Sequence, residues 1–116
     1  MDSRPASSGH EAERVQRFAE RPGFRITELR MSPSQQVGWH RHTNVEDTFY
    51  VITGRVRINL REPDDQIDLA AGESWGPVHS ERPHLVTNPG EEVATFLVLQ
   101  GMGEFDFVTL PDQERH

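Results

Sequence analysis

From Phe24 onward, apolar and polar positions alternate with a period of two. "FRITEL" sets Phe24 and Ile26 against Arg25 and Thr27, and "RVRINL" sets Val56, Ile58 and Leu60 against Arg55, Arg57 and Asn59. Strand side chains point to opposite faces in turn, so this pattern predicts half-buried strands. "TFYVIT" is a compact β-branched and aromatic run that stops at Gly54; further strands are predicted at "QIDLAAGE", "SWGPV", "HLVT", "VATFLVLQ" and "EFDFVTL". Turn chemistry in "REPDD", "NPGEE" and "GMG" separates them, and Gly72 is placed to take a positive φ. Many short strands with Gly and Pro punctuation indicate a sandwich or barrel rather than a βα repeat. The expectation is one all-β domain over residues 23–116.

Ahead of that domain the pattern changes. Residues 1–9 are small and polar and read as a loosely attached arm. Glu11 to Glu20 spaces Val15, Phe18 and Ala19 as the thin apolar stripe of a short helix. Residues 1–22 are therefore expected to form an N-terminal arm, partly disordered or helical.

Composition narrows the chemistry. Cysteine is absent, which excludes disulfides, thiolate metal sites and thiol nucleophiles. All twelve basic residues are arginine, so lysine Schiff-base chemistry is excluded too. A net charge of −7 argues against a nucleic-acid partner, which would need a basic face. No apolar run approaches the roughly 20 residues of a membrane span, and the start carries no apolar signal core. A cytoplasmic protein is expected.

One stretch, "WHRHTNVEDTFYVITG", places histidines and carboxylates beside a strongly β-type run. His40 and His42, at i and i+2 on a strand, point to one face while Arg41 points away. Two carboxylates follow. Asp47 shares strand parity with Phe49 and Val51, Glu46 with Tyr50 and Ile52; the first set is the better core, so Asp47 is preferred as the inward ligand and Glu46 stays as the alternative. His84, at the start of the apolar run "HLVT", is a candidate fourth ligand.

With these residues the chain resembles a small single-domain cupin of the type-2 class. His40 and His42 match that family's H-x-H, and Asp47, with six residues between it and Gly54, takes the position of its glutamate. His84 and Asn88 match the H-x-x-x-N of its second motif, while the P-x-G positions before it read His79, Ser80 and Glu81. The resemblance implies a jelly-roll or β-barrel with a metal inside, and homodimers built on the late strands "FLVLQG" and "EFDFV". Three imidazoles and a carboxylate suit one divalent transition metal per chain, with iron or manganese favoured and zinc, nickel or copper possible. His79 is a candidate acid or base; Arg55 and Arg57 are candidates for clamping an anion. The family's activities include dioxygenation, isomerisation, decarboxylation, lyase and cyclase steps. The expected function is a mononuclear metal enzyme, dioxygenase-like or isomerase, lyase or cyclase, acting on a small organic molecule. A non-catalytic ligand-binding or sensor protein is the alternative.

Overall fold

The computed structural model describes residues 11–21, 23–101 and 106–111. Ten strands follow in chain order: β1 Glu13–Arg21, β2 Phe24–Met31, β3 Gln36–Arg41, β4 Glu46–Thr53, β5 Arg55–Leu60, β6 Asp65–Ala70, β7 Ser74–Val78, β8 His84–Thr87, β9 Ala94–Gly101 and β10 Val108–Thr109. They form two five-stranded sheets, β1-β2-β9-β4-β7 and β10-β3-β8-β5-β6, with every named pair antiparallel. This is the all-β sandwich that the alternation predicts, in the jelly-roll form that the resemblance implies.

The core lies between the sheets. In β4 the inward set is Asp47, Phe49 and Val51; in β9 it is Ala94, Phe96, Val98 and Gln100. Register then separates the molecule into two ends. Val51 pairs with Phe96 and Phe49 with Val98, whereas the next rung carries Asp47 against Gln100 and Arg25. In the facing sheet Val86 pairs with Ile58, and the next rung carries His84 between His40 and Leu60. Polar inward residues are therefore stacked at one end of the sandwich and apolar ones fill the other.

Two turns depend on glycine. Gly54 has φ 81°, and a Cβ there would sit 2.7 Å from the Cα of Ala94. Gly72 has φ 88° with open space around it.

The N-terminal segment departs from expectation. Residues 13–21 form no helix; they are an edge strand paired along β2. Arg14 pairs with Leu29 but Gln16 with Glu28, and Arg17 with Thr27 but Ala19 with Ile26. One extra residue is thus inserted twice on β1, at Val15 and at Phe18. Each bulge resets the side-chain alternation. A strand with two bulges three residues apart repeats every three residues, which in sequence imitates a helical stripe. Val15 and Phe18 are exposed; the β1 residues that line the cavity are Arg17, half-buried, and Arg14, which itself stays exposed. The expected loose arm at residues 1–9 lies outside the described residues, as do Glu104 and Phe105 of "EFDFVTL".

Candidate metal centre

Four side chains meet at the polar end of the sandwich. His40, His42, Asp47 and His84 are all buried, and one ligand atom from each lies within 4.8 Å of the others. His40 comes from β3, His42 from just past its end, Asp47 from the first inward position of β4, and His84 from the first residue of β8. Glu46, one residue from Asp47, has the opposite parity. Its carboxylate lies 3.2 Å from Nδ1 of His79 at the surface.

Each imidazole is fixed from behind by a backbone carbonyl. Nδ1–H of His40 donates to Gly38 (2.7 Å), that of His84 to Arg82 (2.9 Å), and that of His42 to Asp106. With Nδ1 committed as donor, a neutral ring presents a bare Nε2 lone pair to the group, the tautomer that metal-binding histidines use. Asp106 is itself held by Thr43, whose backbone N–H donates to its carboxylate at 2.8 Å. Phe107, the next residue, stacks on His40 with ring centroids 4.2 Å apart.

Asp47 receives contacts on both oxygens. Oδ2 lies 3.1 Å from Nε2 of His42 and 3.1 Å from Nε2 of His84, while Gln100 Nε2–H donates to Oδ1 at 2.9 Å. The electrostatics follow from this crowding. Burial alone would raise the Asp47 carboxyl, but the contacts with His42 and His84 outweigh it and hold the group below its ordinary value. Burial likewise acts to lower His42; the Asp47 carboxylate overrides it and the imidazolium is favoured. His40 is pushed down to about 3, by burial first and then by the charge of His84.

His40 is therefore neutral, and no donor among the described residues reaches its Nε2. A buried, acceptor-only nitrogen without a partner is costly. A cation placed among the four side chains would satisfy that nitrogen, both other Nε2 atoms and Oδ2 together. The donor set of three imidazoles and one carboxylate fits a divalent transition ion.

A cavity of about 530 Å³ opens beside the group. Its apolar wall is built from Leu29, Phe49, Val86, Phe96, Val98 and Phe107, and a second wall carries Arg14, Arg17 and Arg25. That volume is in the range of small-molecule sites.

The family model described as "Cupin domain" matches residues 27–100. The chain belongs to the cupin family. Among solved structures, an uncharacterized conserved protein with a double-stranded β-helix domain from Klebsiella pneumoniae superposes with a TM-score of 0.74 at 21% identity, covering 91% of this chain and 90% of that one. The oxalate decarboxylase of Lactobacillus farciminis, in a formate complex, gives a TM-score of 0.68 at 17% identity over 77% of this chain. That of Bacillus subtilis, a protein with Mn(II) centres, gives 0.69 at 23% identity over 77%. This cupin spans about a quarter of each decarboxylase, 27% and 24%. No curated protein matches the chain.

The remaining expectations sort by position. His79 is not brought to the group: its side chain is 74% exposed, because Val78 before it is the buried end of β7 and the alternation turns His79 outward. Arg57 pairs with Asp68 at the surface, at 2.7 Å. Arg41 points away from the histidines and pairs with Glu81. Asn88 serves the backbone, donating to the carbonyls of Met31 (2.9 Å) and Glu92 (2.8 Å). Sequence reasoning missed Gln100, Asp106 and the arginines of β1. Gln100 was legible as an inward position of β9, but the polar face of β1 was hidden by its bulges. No helix of the described residues is long and apolar enough to cross a membrane.

Proposed function

We propose that this cupin is a mononuclear metal-dependent enzyme acting on a small organic molecule. One observation carries the reading: three imidazoles locked by backbone carbonyls turn Nε2 toward the Asp47 carboxylate, buried beside a cavity of small-molecule size. His40, His42, Asp47 and His84 would hold the ion, and Gln100 would keep the carboxylate turned toward it. A bound divalent ion would supply Lewis acidity or an oxygen-activating centre. The two sheets exclude bulk water from the four ligands, and Phe107 holds the His40 ring in place by stacking. Iron and manganese are the first metals to test; the Mn(II) centres of the Bacillus subtilis decarboxylase support manganese.

A second reading, ligand binding without turnover, rests on the position of His79. The expected acid–base residue stands outside the cavity, and Glu11 is the only carboxylate other than Asp47 along the cavity wall among the described residues. Metal-loaded protein incubated with small keto and aromatic acids, under air and under nitrogen, separates the readings. Product formation or oxygen uptake that disappears in His84→Ala supports the enzyme. Saturable binding with no conversion supports the binding protein.

We also infer a homodimer. The outer face of the β1-β2-β9-β4-β7 sheet carries Ile26, Leu97, Leu99, Tyr50 and Ile52 as neighbours across three strands, with Tyr50 and Ile52 exposed. A second copy related by a two-fold axis would present the same strip to itself.

A further inference from the structure

The cavity has a polarity that the metal reading leaves unused. Its wall on β1 and β2 carries three guanidinium groups, in a chain whose net charge is −7, whereas Arg30, Arg41 and Arg57 pair with carboxylates at the surface. Position explains their convergence. Arg25 is inward on β2, on the same rung as the ligand Asp47, with Gln100 between them. Arg17 lies across from Thr27 and Arg14 across from Leu29, and the bulge at Val15 between them brings both to the same face.

Two of them donate to side chains of the same sheet. Arg17 Nε–H donates to Thr27 Oγ1 at 3.1 Å, and Arg25 Nε–H to Gln100 Oε1 at 3.2 Å. Glu20 lies 3.5 Å from Arg17 and 4.0 Å from Arg25, and Glu11 lines the same wall. Among the described residues Arg14 makes no ion pair. Burial first, and then the charge of Arg17, disfavour the Arg25 cation; the Glu20 carboxylate favours it, and Arg14 adds a smaller repulsion. Like charges gathered at a partly desolvated wall repel, and an anion entering the cavity relieves that repulsion.

We propose that the cavity takes a small carboxylate with an apolar body: the carboxylate is received by Arg14, Arg17 and Arg25, the body lies on Leu29, Phe96 and Val98, and the far end reaches the His40, His42, Asp47 and His84 group. Guanidinium is suited to this, since its planar fork matches a carboxylate with two parallel hydrogen bonds. The apolar residues that share the cavity with the arginines select for a hydrocarbon body rather than a polyol. Arg25 has a second consequence: through Gln100 it connects the anion site to the Asp47 carboxylate, with hydrogen bonds of 3.2 and 2.9 Å. The proposal rests on the functional reading above for its metal end only; the anion end stands on the arginines.

Calorimetric titration tests it, with butanoate, hexanoate and 3-phenylpropanoate each beside its neutral amide, on manganese-loaded and on metal-free protein. The expected result is a preference of roughly tenfold or more for acid over amide, as for a charge-assisted bond to a fixed site. Affinity should rise from butanoate to 3-phenylpropanoate as more apolar surface is covered. Arg14→Gln/Arg17→Gln should remove the acid preference while metal content, measured on the same sample, stays near one per chain. Arg17→Lys should restore part of the preference. Equal affinity for acid and amide in the wild type overturns the proposal, as does no saturable binding of any acid or a preference unchanged in the double variant. Should the protein take up no metal, the metal reading fails, and the acid–amide comparison on metal-free protein still decides the anion site.

Discussion

Oδ2 of Asp47 is shared between two Nε2 atoms whose rings have already spent Nδ1 as donor. In metal-free protein protons must fill that gap; His40, held neutral, contributes a lone pair alone. Replacing His42 or His84 by Ala should abolish stoichiometric metal uptake, and the wild type should lose about 4 kcal/mol of stability when chelator strips a site held at a thousandfold excess over Kd. A thermal shift that is the same with and without chelator would contradict this. Gln100→Ala should leave the four ligands in place but weaken metal binding by about 10–100-fold, since the carboxylate loses the donor that orients it; competition with a chelating dye measures it.

The pH dependence of metal-free protein follows from the same residues. His40 has its folded value depressed to about 3 from 6.5. Below pH 6.5 the unfolded chain binds a proton there that the folded chain refuses, so stability falls as pH drops from 6.5 toward 3. Asp47 acts in the same direction at lower pH: its folded value is also depressed, and its contribution is lost as pH falls below the ordinary carboxyl value. His42 acts oppositely, its raised value stabilising below its ordinary pKa and fading as pH rises. Urea unfolding of metal-free protein across pH 7 to 4 should show a net loss toward acid, reduced in His40→Gln.

At the scale of elements, alternation made most of the strands legible. "RVRINL" and "VATFLVLQ" place their side chains as the period of two requires, and the positions apolar on both phases in "FLVLQ" are buried inward and half-buried outward. The same rule turns Asp47 in and Glu46 out. It failed at β1, where two inserted residues convert a period of two into three and the residues lining the cavity are arginine. No local signal announces such bulges; they are set by pairing with β2, which is a tertiary property. The outward position of His79 was hidden for a related reason, because the spacing of the second motif says nothing about which way a strand end faces. Gly54 and Gly72 offer a graded test of the turns. Gly54→Ala must place a Cβ against Ala94 at positive φ and should cost about 2–4 kcal/mol. Gly72→Ala pays for its φ alone, about 1 kcal/mol. Chemical unfolding with unchanged m-values would measure both, and equal costs would show that the Gly54–Ala94 approach is not tight.

At the scale of the molecule, the two sheets divide the labour. One end is an apolar core from Met31 through Phe96, which holds the sandwich together; the other suspends polar groups over a cavity that the core does not fill. Because the apolar end is independent of the ligands, the histidine variants should remain folded. The outer strip of Ile26, Leu97, Leu99, Tyr50 and Ile52 belongs to this scale too. Light scattering should give twice the chain mass, and Tyr50→Glu/Leu97→Glu should reduce it to one chain with the cavity intact; a wild type of single-chain mass would remove the dimer.

Everything functional depends on whether the four buried side chains hold a metal ion. Elemental analysis of freshly purified protein, never exposed to nickel resin, beside a His40→Ala/His84→Ala variant tests this most directly. Close to one divalent transition metal per chain is expected in the wild type, iron or manganese before others, with nearly all of it lost in the variant. No metal in either protein, with no uptake when iron, manganese or zinc is supplied, would contradict it.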